Sequence, residues 1–264
     1  MNIKTLFVFI ITLSVKEVVQ GHYTLLNYEG TDTETPREGY SGTCGNLSWN
    51  YNNDTFSLII SGEGDMSCCN SSDSPWSNFS NYVKNIEIRE GVTSIGQSAF
   101  KDFISLDAVN ITSNITSIKK NAFLNCSNLT SVIIPSTVTS IGTEVFLGCK
   151  SLKSITIPSE VVSIDNNTFL GCSSLKTVNI ESKLTTIGMN AFFECRNLES
   201  IILPSSVTSI GQHAFHGCES LESITIPSRV SSIDSFTFGG CASMRTVNIA
   251  SNLTSIGNYA FFRL

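Results

Sequence analysis

Six cysteines recur every 23 residues, at Cys126, Cys149, Cys172, Cys195, Cys218 and Cys241. Thiolates bind soft metals and exchange disulfides, so metal and redox chemistry come first. Disulfides need Cα separations of about 4.4–6.8 Å and converging Cβ vectors. Coils stacked at the strand spacing of about 4.8 Å would meet the distance but present parallel vectors. The column therefore reads as a ladder of buried free thiols acting as small apolar groups. Cys44, Cys68 and Cys69 lie off the period, and a bridge from Cys44 to Cys68 or Cys69 is expected in an exported chain. His213, His216 and Cys218 spell H-x-x-H-x-C, superficially a zinc spacing. Cys218 belongs to the column, however, and Glu144 and Leu147 stand at the equivalents of the two histidines. The third histidine is His22, and no serine–histidine–aspartate set can be assembled from residues so placed. Asp54 and Asp65 read as turn residues, and the glycines follow the repeat and do not form a phosphate loop. No catalytic residue, cofactor or metal site is expected, and hence no enzyme.

The element that positions the cysteines is the repeat itself. A phenylalanine column keeps the same step from Phe100 to Phe261, an isoleucine column from Ile95 to Ile256, and a leucine column from Leu106 to Leu221, with Met244 last. One unit reads Cys-x-x-Leu-x-x-Val-x-Ile-Pro-Ser-x-Val-x-x-Ile-Gly-x-x-x-Phe-x-Gly. Val132 and Ile134 alternate, which puts both on one strand face, toward a core. Pro135 follows and ends the strand's contribution to a ladder. Gly142 and its equivalents suit a sharp bend, although Lys119, Asp165 and Asp234 share that column. The segment from Thr143 to Gly148 is too short for more than a helical turn. Such a unit cannot bury enough surface alone, so stacking is obligatory.

A period of 23 falls in the range of leucine-rich repeats. The expected fold is a leucine-rich-repeat solenoid of the α/β horseshoe class, rich in β. It has a parallel sheet on one face, short helical turns or irregular returns, and a small β-rich N-terminal cap. A longer period lies above the first: residues 127–195 align without gaps on 196–264 with 43 of 69 identities. Lys150, Lys153, Glu160 and Thr130 become Glu219, Glu222, Arg229 and Glu199, which marks those positions as solvated. Such differences read as drift on a surface or as a retuned binding face.

Hydrophobic residues make up 41% of the 264 residues, enough for a core. The net charge of −6 and the scattered 16 basic residues argue against nucleic acid as partner. Lys4 followed by the ten apolar-dominated residues Leu6 to Val15 reads as a signal peptide cleaved after Gly21; the run is too short to span a bilayer. Ten N-x-S/T sequons, at Asn46, Asn53, Asn70, Asn78, Asn110, Asn114, Asn125, Asn128, Asn166 and Asn252, are candidate glycan acceptors in an exported chain. The expected division is a signal peptide over 1–21, a cap over 22–85 and a solenoid over 86–264. Leu264 falls where the next cysteine would stand, so a fragment, or self-association through an uncapped C-terminal end, is expected. No transmembrane span is expected.

Within the cap, Leu47 and Trp49 read as one strand, Phe56 to Ile60 as a second, and Asn52-Asn53-Asp54 as the turn of a hairpin. Gly42-Thr-Cys-Gly-x-Leu-x-Trp49, Leu58-Ile-Ile-Ser-Gly-x-Gly-x-Met66, Pro75-Trp76 and Gly91-Val-Thr-Ser-Ile-Gly-x-x-Ala-Phe100 follow in order. Over roughly residues 41–264 the chain resembles the BspA-type leucine-rich-repeat proteins of bacteria and protists. That resemblance implies surface exposure, adhesion to host, matrix or microbial proteins, and recognition by host immunity. It implies no enzyme activity and carries over no fixed ligand contacts.

The expected working surface is the open strand face. Its residues lie between the inward pair of each unit: Asn110, Ile133, Thr156, Asn179, Ile202, Thr225 and Asn248. Lys153, Lys176, Glu199, Glu222 and Arg245 flank them. Exposed Ile133 and Ile202 beside Thr and Asn suit a protein ligand. The expectation is an extracellular, secreted or surface-held protein-binding solenoid, an adhesin or surface antigen. The alternative is a secreted, non-adhesive structural or immune-interaction module.

Overall fold

The computed structural model describes residues 40–69, 74–112, 114–181, 183–250 and 252–264. The signal peptide expected over 1–21 and the first part of the cap lie outside them. Three antiparallel strands open the described chain: β1 (Tyr40–Cys44), β2 (Leu47–Asn52) and β3 (Ser57–Gly62). In β2, Leu47, Trp49 and Tyr51 are buried and their neighbours exposed, the alternation of a half-buried strand. The turn between β2 and β3 is held by Asn52, whose Oδ1 accepts the amides of Asp54 and Thr55. Phe56 closes that turn with φ of 52°, so the second strand of the hairpin begins one residue later than its apolar run suggests.

The cap then hands its sheet to the repeat. β3 pairs in parallel with Asn85–Ile88, which pairs with Ala108–Ile111 and in turn with Ser131–Val132. Equivalent strands follow at Ser154–Ile157, Thr177–Ile180, Ser200–Ile201, Ser223–Ile226 and Thr246–Ile249. Each coil also carries a second short strand, from Val92–Ile95 and Ser117–Ile118 through to Ser255–Ile256. These form a second parallel ladder on the return side. Among the described residues the one helical element is a 3-10 turn at Ser77–Phe79. The return is therefore strand and turn; no coil has a helical one.

Between the two ladders lies the core. The phenylalanines stack ring on ring along the whole repeat, with centroids 5.6 Å apart for Phe123–Phe146 and 5.3 Å for Phe169–Phe192. Trp76 of the cap takes the place of one more ring, stacked at 5.8 Å on Phe100, and its indole N–H donates to the Ala99 carbonyl at 2.7 Å. The cap thus closes the N-terminal end of the core by continuing its pattern. A disulfide joins Cys44 at the end of β1 to Cys68, with Cα atoms 5.4 Å apart; Cys69 stays a buried thiol.

Neither ladder is continuous. In the first, Ser154–Ile157 and Thr177–Ile180 share four residue pairs, Thr177–Ile180 and Ser200–Ile201 share two, and no pairing joins Ser200–Ile201 to Ser223–Ile226. The same break separates Ser131–Val132 from Ser154–Ile157. The rhythm follows the prolines. Thr112, Glu181 and Ala250 donate their amides to the preceding coil, at Ile88, Ile157 and Ile226. Pro135, Pro158, Pro204 and Pro227 stand at the same position without an N–H to give. The ladder parts where two proline coils adjoin.

The second ladder opens at the same two junctions. Gly142, Gly188, Gly211 and Gly257 each donate back to the isoleucine of the coil before. These glycines serve close approach, not the bend expected of them: a Cβ at Gly188 would lie 2.7 Å from the backbone of Asp165 and Asn166. Asp165 and Asp234 carry such a Cβ, and no bond joins them to Ile141 or Ile210. Lys119 carries one too and keeps its bond to Ile95 at 3.0 Å. The ladder therefore opens only where the aspartate coincides with the proline pair. Across the first junction the phenylalanine side remains bonded, through the amides of Phe146 and Gly148 to the carbonyls of Thr168 and Leu170.

Candidate interaction face

Pleating decides which side chains leave the first ladder. In Ser154–Ile157, Ile155 and Ile157 turn inward, while Ser154 and Thr156 stand out. Ladder register then stacks each outward residue on its equivalent. Thr156 pairs with Asn179, Thr225 with Asn248, and Glu87 with Asn110. Ile133 and Ile202 are 83% and 85% exposed, the most exposed large apolar residues of the described chain. Each belongs to a coil whose strand stops at two residues. The flanking charges Lys153, Lys176, Glu199, Glu222 and Arg245 are all exposed, and Lys176 and Glu199 form an ion pair at 3.0 Å. The expected face residues thus share one surface. One further column stands on it beside these residues, the outward Ser131, Ser154, Thr177, Ser200, Ser223 and Thr246. Strict alternation from Val132 and its equivalents is the signal that identifies it. Toward the cap the face continues into a shallow depression lined by Ser48, Asn50, Ile59 and Arg89.

The cysteine column lies beneath this surface. Each thiol donates to a phenylalanine carbonyl of the preceding coil, as Cys172 does to Phe146 at 3.1 Å and Cys195 to Phe169 at 3.1 Å. Burial pushes the thiols of Cys126, Cys172, Cys195 and Cys218 well above the ordinary range, and those of Cys69 and Cys241 up to about 12. A thiol so protonated is neither nucleophile nor ready metal ligand. Native protein at pH 8 should therefore take up no iodoacetamide at these positions until it unfolds. Fast labelling of Cys172 in the folded chain, read by peptide mass, would refute this.

His213 and His216 join an aromatic cluster. His213 stacks on Phe236 at 4.9 Å, His216 on Phe193 at 5.0 Å, and the two imidazoles meet edge to face at 5.4 Å. Burial, with His216 beside it, holds the His213 pKa below its usual value. Among the described residues no third histidine, cysteine or carboxylate ligand atom groups with these two. Among the described residues one group brings three such atoms together, the sulfurs of Cys44, Cys68 and Cys69, and two of these are joined in the disulfide. The sequons at Asn46, Asn53, Asn78, Asn110, Asn114, Asn125, Asn128, Asn166 and Asn252 are exposed; Asn70 lies outside the described residues. Two of the exposed asparagines are engaged between coils: Asn125 donates to Asp102 at 2.8 Å, and Asn166 accepts the Met189 amide at 2.8 Å.

Parallel coils of 23 residues with a leucine, isoleucine and phenylalanine interior define a leucine-rich-repeat solenoid. The BspA type leucine-rich repeat region matches residues 76–198 and 139–264 in six copies. The chain belongs to this family. Its structure is similar to that of a leucine-rich cell surface protein from Faecalibacterium prausnitzii A2-165, with 25% identity, a TM-score of 0.55, and coverage of 86% of this chain and 74% of that one. It shares its fold with the leucine-rich repeat protein of T. pallidum at 22% identity and a TM-score of 0.51, over 81% of this chain and 85% of that one. No curated protein matches the sequence. No helix among the described residues is long and apolar enough to cross a membrane.

Proposed function

We propose that this chain is a secreted or cell-surface protein-binding solenoid, an adhesin or surface antigen whose strand face contacts host, matrix or microbial proteins. The observation that carries this is the pair Ile133 and Ile202, both over four-fifths exposed on one preformed face. Isolated exposed apolar residues are ordinary. These two occupy the same position in both copies of a 69-residue block, framed by Thr156, Asn179, Thr225 and Asn248. A polar rim around apolar anchors is the composition of a protein-binding surface. The cell surface protein from Faecalibacterium prausnitzii supports the location.

The test is binding of the purified, labelled chain to intact epithelial monolayers and to a laid-down matrix preparation. Ile133→Asp with Ile202→Asp should lower binding at least tenfold, as loss of anchor residues does. Stability should stay within about 0.5 kcal/mol, because both side chains are solvated. Undiminished binding by the double variant would move the contact to another face. An epitope-tagged chain should also be open to protease on unpermeabilised native cells or appear in their medium; confinement to the cytosol would end the surface reading.

A further inference from the structure

Five coils in succession carry one flanking charge each, in the order Lys153, Lys176, Glu199, Glu222 and Arg245, and the first four run two positive then two negative. These four are exposed on the strand face. The repeat places them in one column along the solenoid axis, about 14 Å long at the strand spacing of about 4.8 Å, with ladder register from the coil of Lys153 to that of Glu199 and an open junction before Glu222. Two positive charges followed by two negative ones read the same when the order is reversed and the signs are exchanged. Such a stripe is complementary to itself in the antiparallel direction and in no other.

We propose that the strand face takes a second copy of this chain, antiparallel, about a twofold axis that runs along the strand direction between the coils of Lys176 and Glu199. The proposal rests on the strand face being the binding surface and names its partner. A rotation about that axis reverses the solenoid direction but returns each column of the face to itself. Lys153 then meets Glu222 of the second copy, and Lys176 meets its Glu199. Each contact occurs twice, as an isologous interface requires. The same operation sets Thr156 against Thr225, Ile202 against Asn179, and Ile133 against Asn248. No charge is buried against an apolar residue, and no like charges face each other along the stripe.

The block duplication shows how the pattern arises. Lys153 and Glu222 are equivalent positions in the two copies, as are Thr130 and Glu199. Had the second copy kept Lys and Thr there, the stripe would carry no negative half. Lys176 and Glu199 already pair within one chain at 3.0 Å, with side chains 60% and 57% exposed. Lys153 and Glu222 have no ion-pair partner among the described residues. The second copy supplies one to each. The face measures roughly 29 Å by 13 Å over its six coils, about 750 Å² in all for two copies, which is below the size of stable specific interfaces. The pairing is therefore weak, reversible and sensitive to salt. An antiparallel pair places its two caps at opposite ends, the arrangement that suits copies presented by two facing surfaces.

Sedimentation velocity on the full folded chain, from about 1 to 500 µM, tests this. In 20 mM salt the wild type should show a reversible monomer–dimer equilibrium, weakened at least tenfold by 0.5 M NaCl. Lys153→Glu with Lys176→Glu leaves an all-negative stripe and should be monomeric. Glu199→Lys with Glu222→Lys leaves an all-positive stripe and should be monomeric too. An equimolar mixture of the two variants should recover a dimer, which a misfolded variant could not do. The proposal is overturned if the wild type stays monomeric across the range at low salt. It is equally overturned if either charge variant pairs with itself, since that contact would lie elsewhere, as at the C-terminal end. Neither result touches binding to epithelial cells or matrix, which Ile133→Asp with Ile202→Asp tests separately.

Discussion

Phe169→Ala should destabilise the chain by about 3–5 kcal/mol, the usual cost of deleting a buried aromatic ring. For a chain of this size that lowers the melting temperature by roughly 10 °C. Phe169 is wholly buried, between Phe146 at 5.6 Å and Phe192 at 5.3 Å. Its place at the first open junction makes the loss larger than in an ordinary core. Neither ladder has a strand pair there, so the ring stack and the backbone bonds of Glu144, Phe146, Gly148, Ser151 and Lys153 hold one coil to the next. Removing the ring weakens the continuous side of a joint whose two ladders have no strand pair and whose strand side keeps the Lys153 to Thr130 amide bond. In a repeat protein cooperativity depends on each interface between units, so the transition should broaden or split. Calorimetry of the variant checks both effects. A loss under about 1 kcal/mol with a single sharp transition would show that the phenylalanine side does not carry the joint.

The second large effect belongs to the cap. Cys44→Ser should destabilise it by about 3 kcal/mol, because the Cys44–Cys68 bridge closes a loop with a sequence separation of 24. The chain's two tryptophans, Trp49 and Trp76, are both buried in the cap, so indole fluorescence reports on this element alone. Urea titration followed by that signal should show an earlier midpoint in the variant. Reduction should move the wild type to the same midpoint and leave the variant where it is. An unchanged tryptophan transition would mean that packing of Trp76 on Phe100 suffices to hold the cap.

Much of this architecture is legible in the residues because the apolar columns are legible. Phe, Ile, Leu and Cys at a fixed step of 23 force stacked coils with in-register interiors, and alternation in segments such as Ser154–Ile157 separates core from surface. The second ladder is not visible that way. Its strands are two residues long in most coils, as at Ser140–Ile141, too short for any periodic signal. Their existence follows from a glycine column that reads as a bend until the close approach at Gly188 is seen. The open junctions are also written in the sequence, in the prolines missing at Thr112, Glu181 and Ala250. That signal is a relation between neighbouring coils, so no single unit displays it. The interaction face shows the same division. Ile133 and Ile202 can be picked out within their own units, whereas the order of Lys153, Lys176, Glu199 and Glu222 acquires meaning only when the columns stand side by side.

The rhythm of the junctions also bears on how such a chain can change length. Proline, proline and a third residue recur at one position, with aspartate once per three coils at another, so coils come in three kinds. Loss or gain of a single coil through unequal recombination would set together two kinds that do not adjoin in this chain. Loss or gain of 69 residues restores every neighbour relation. The heritable increment of this solenoid is therefore the triplet. Deleting residues 127–195 should leave a shorter molecule with all its joints in phase.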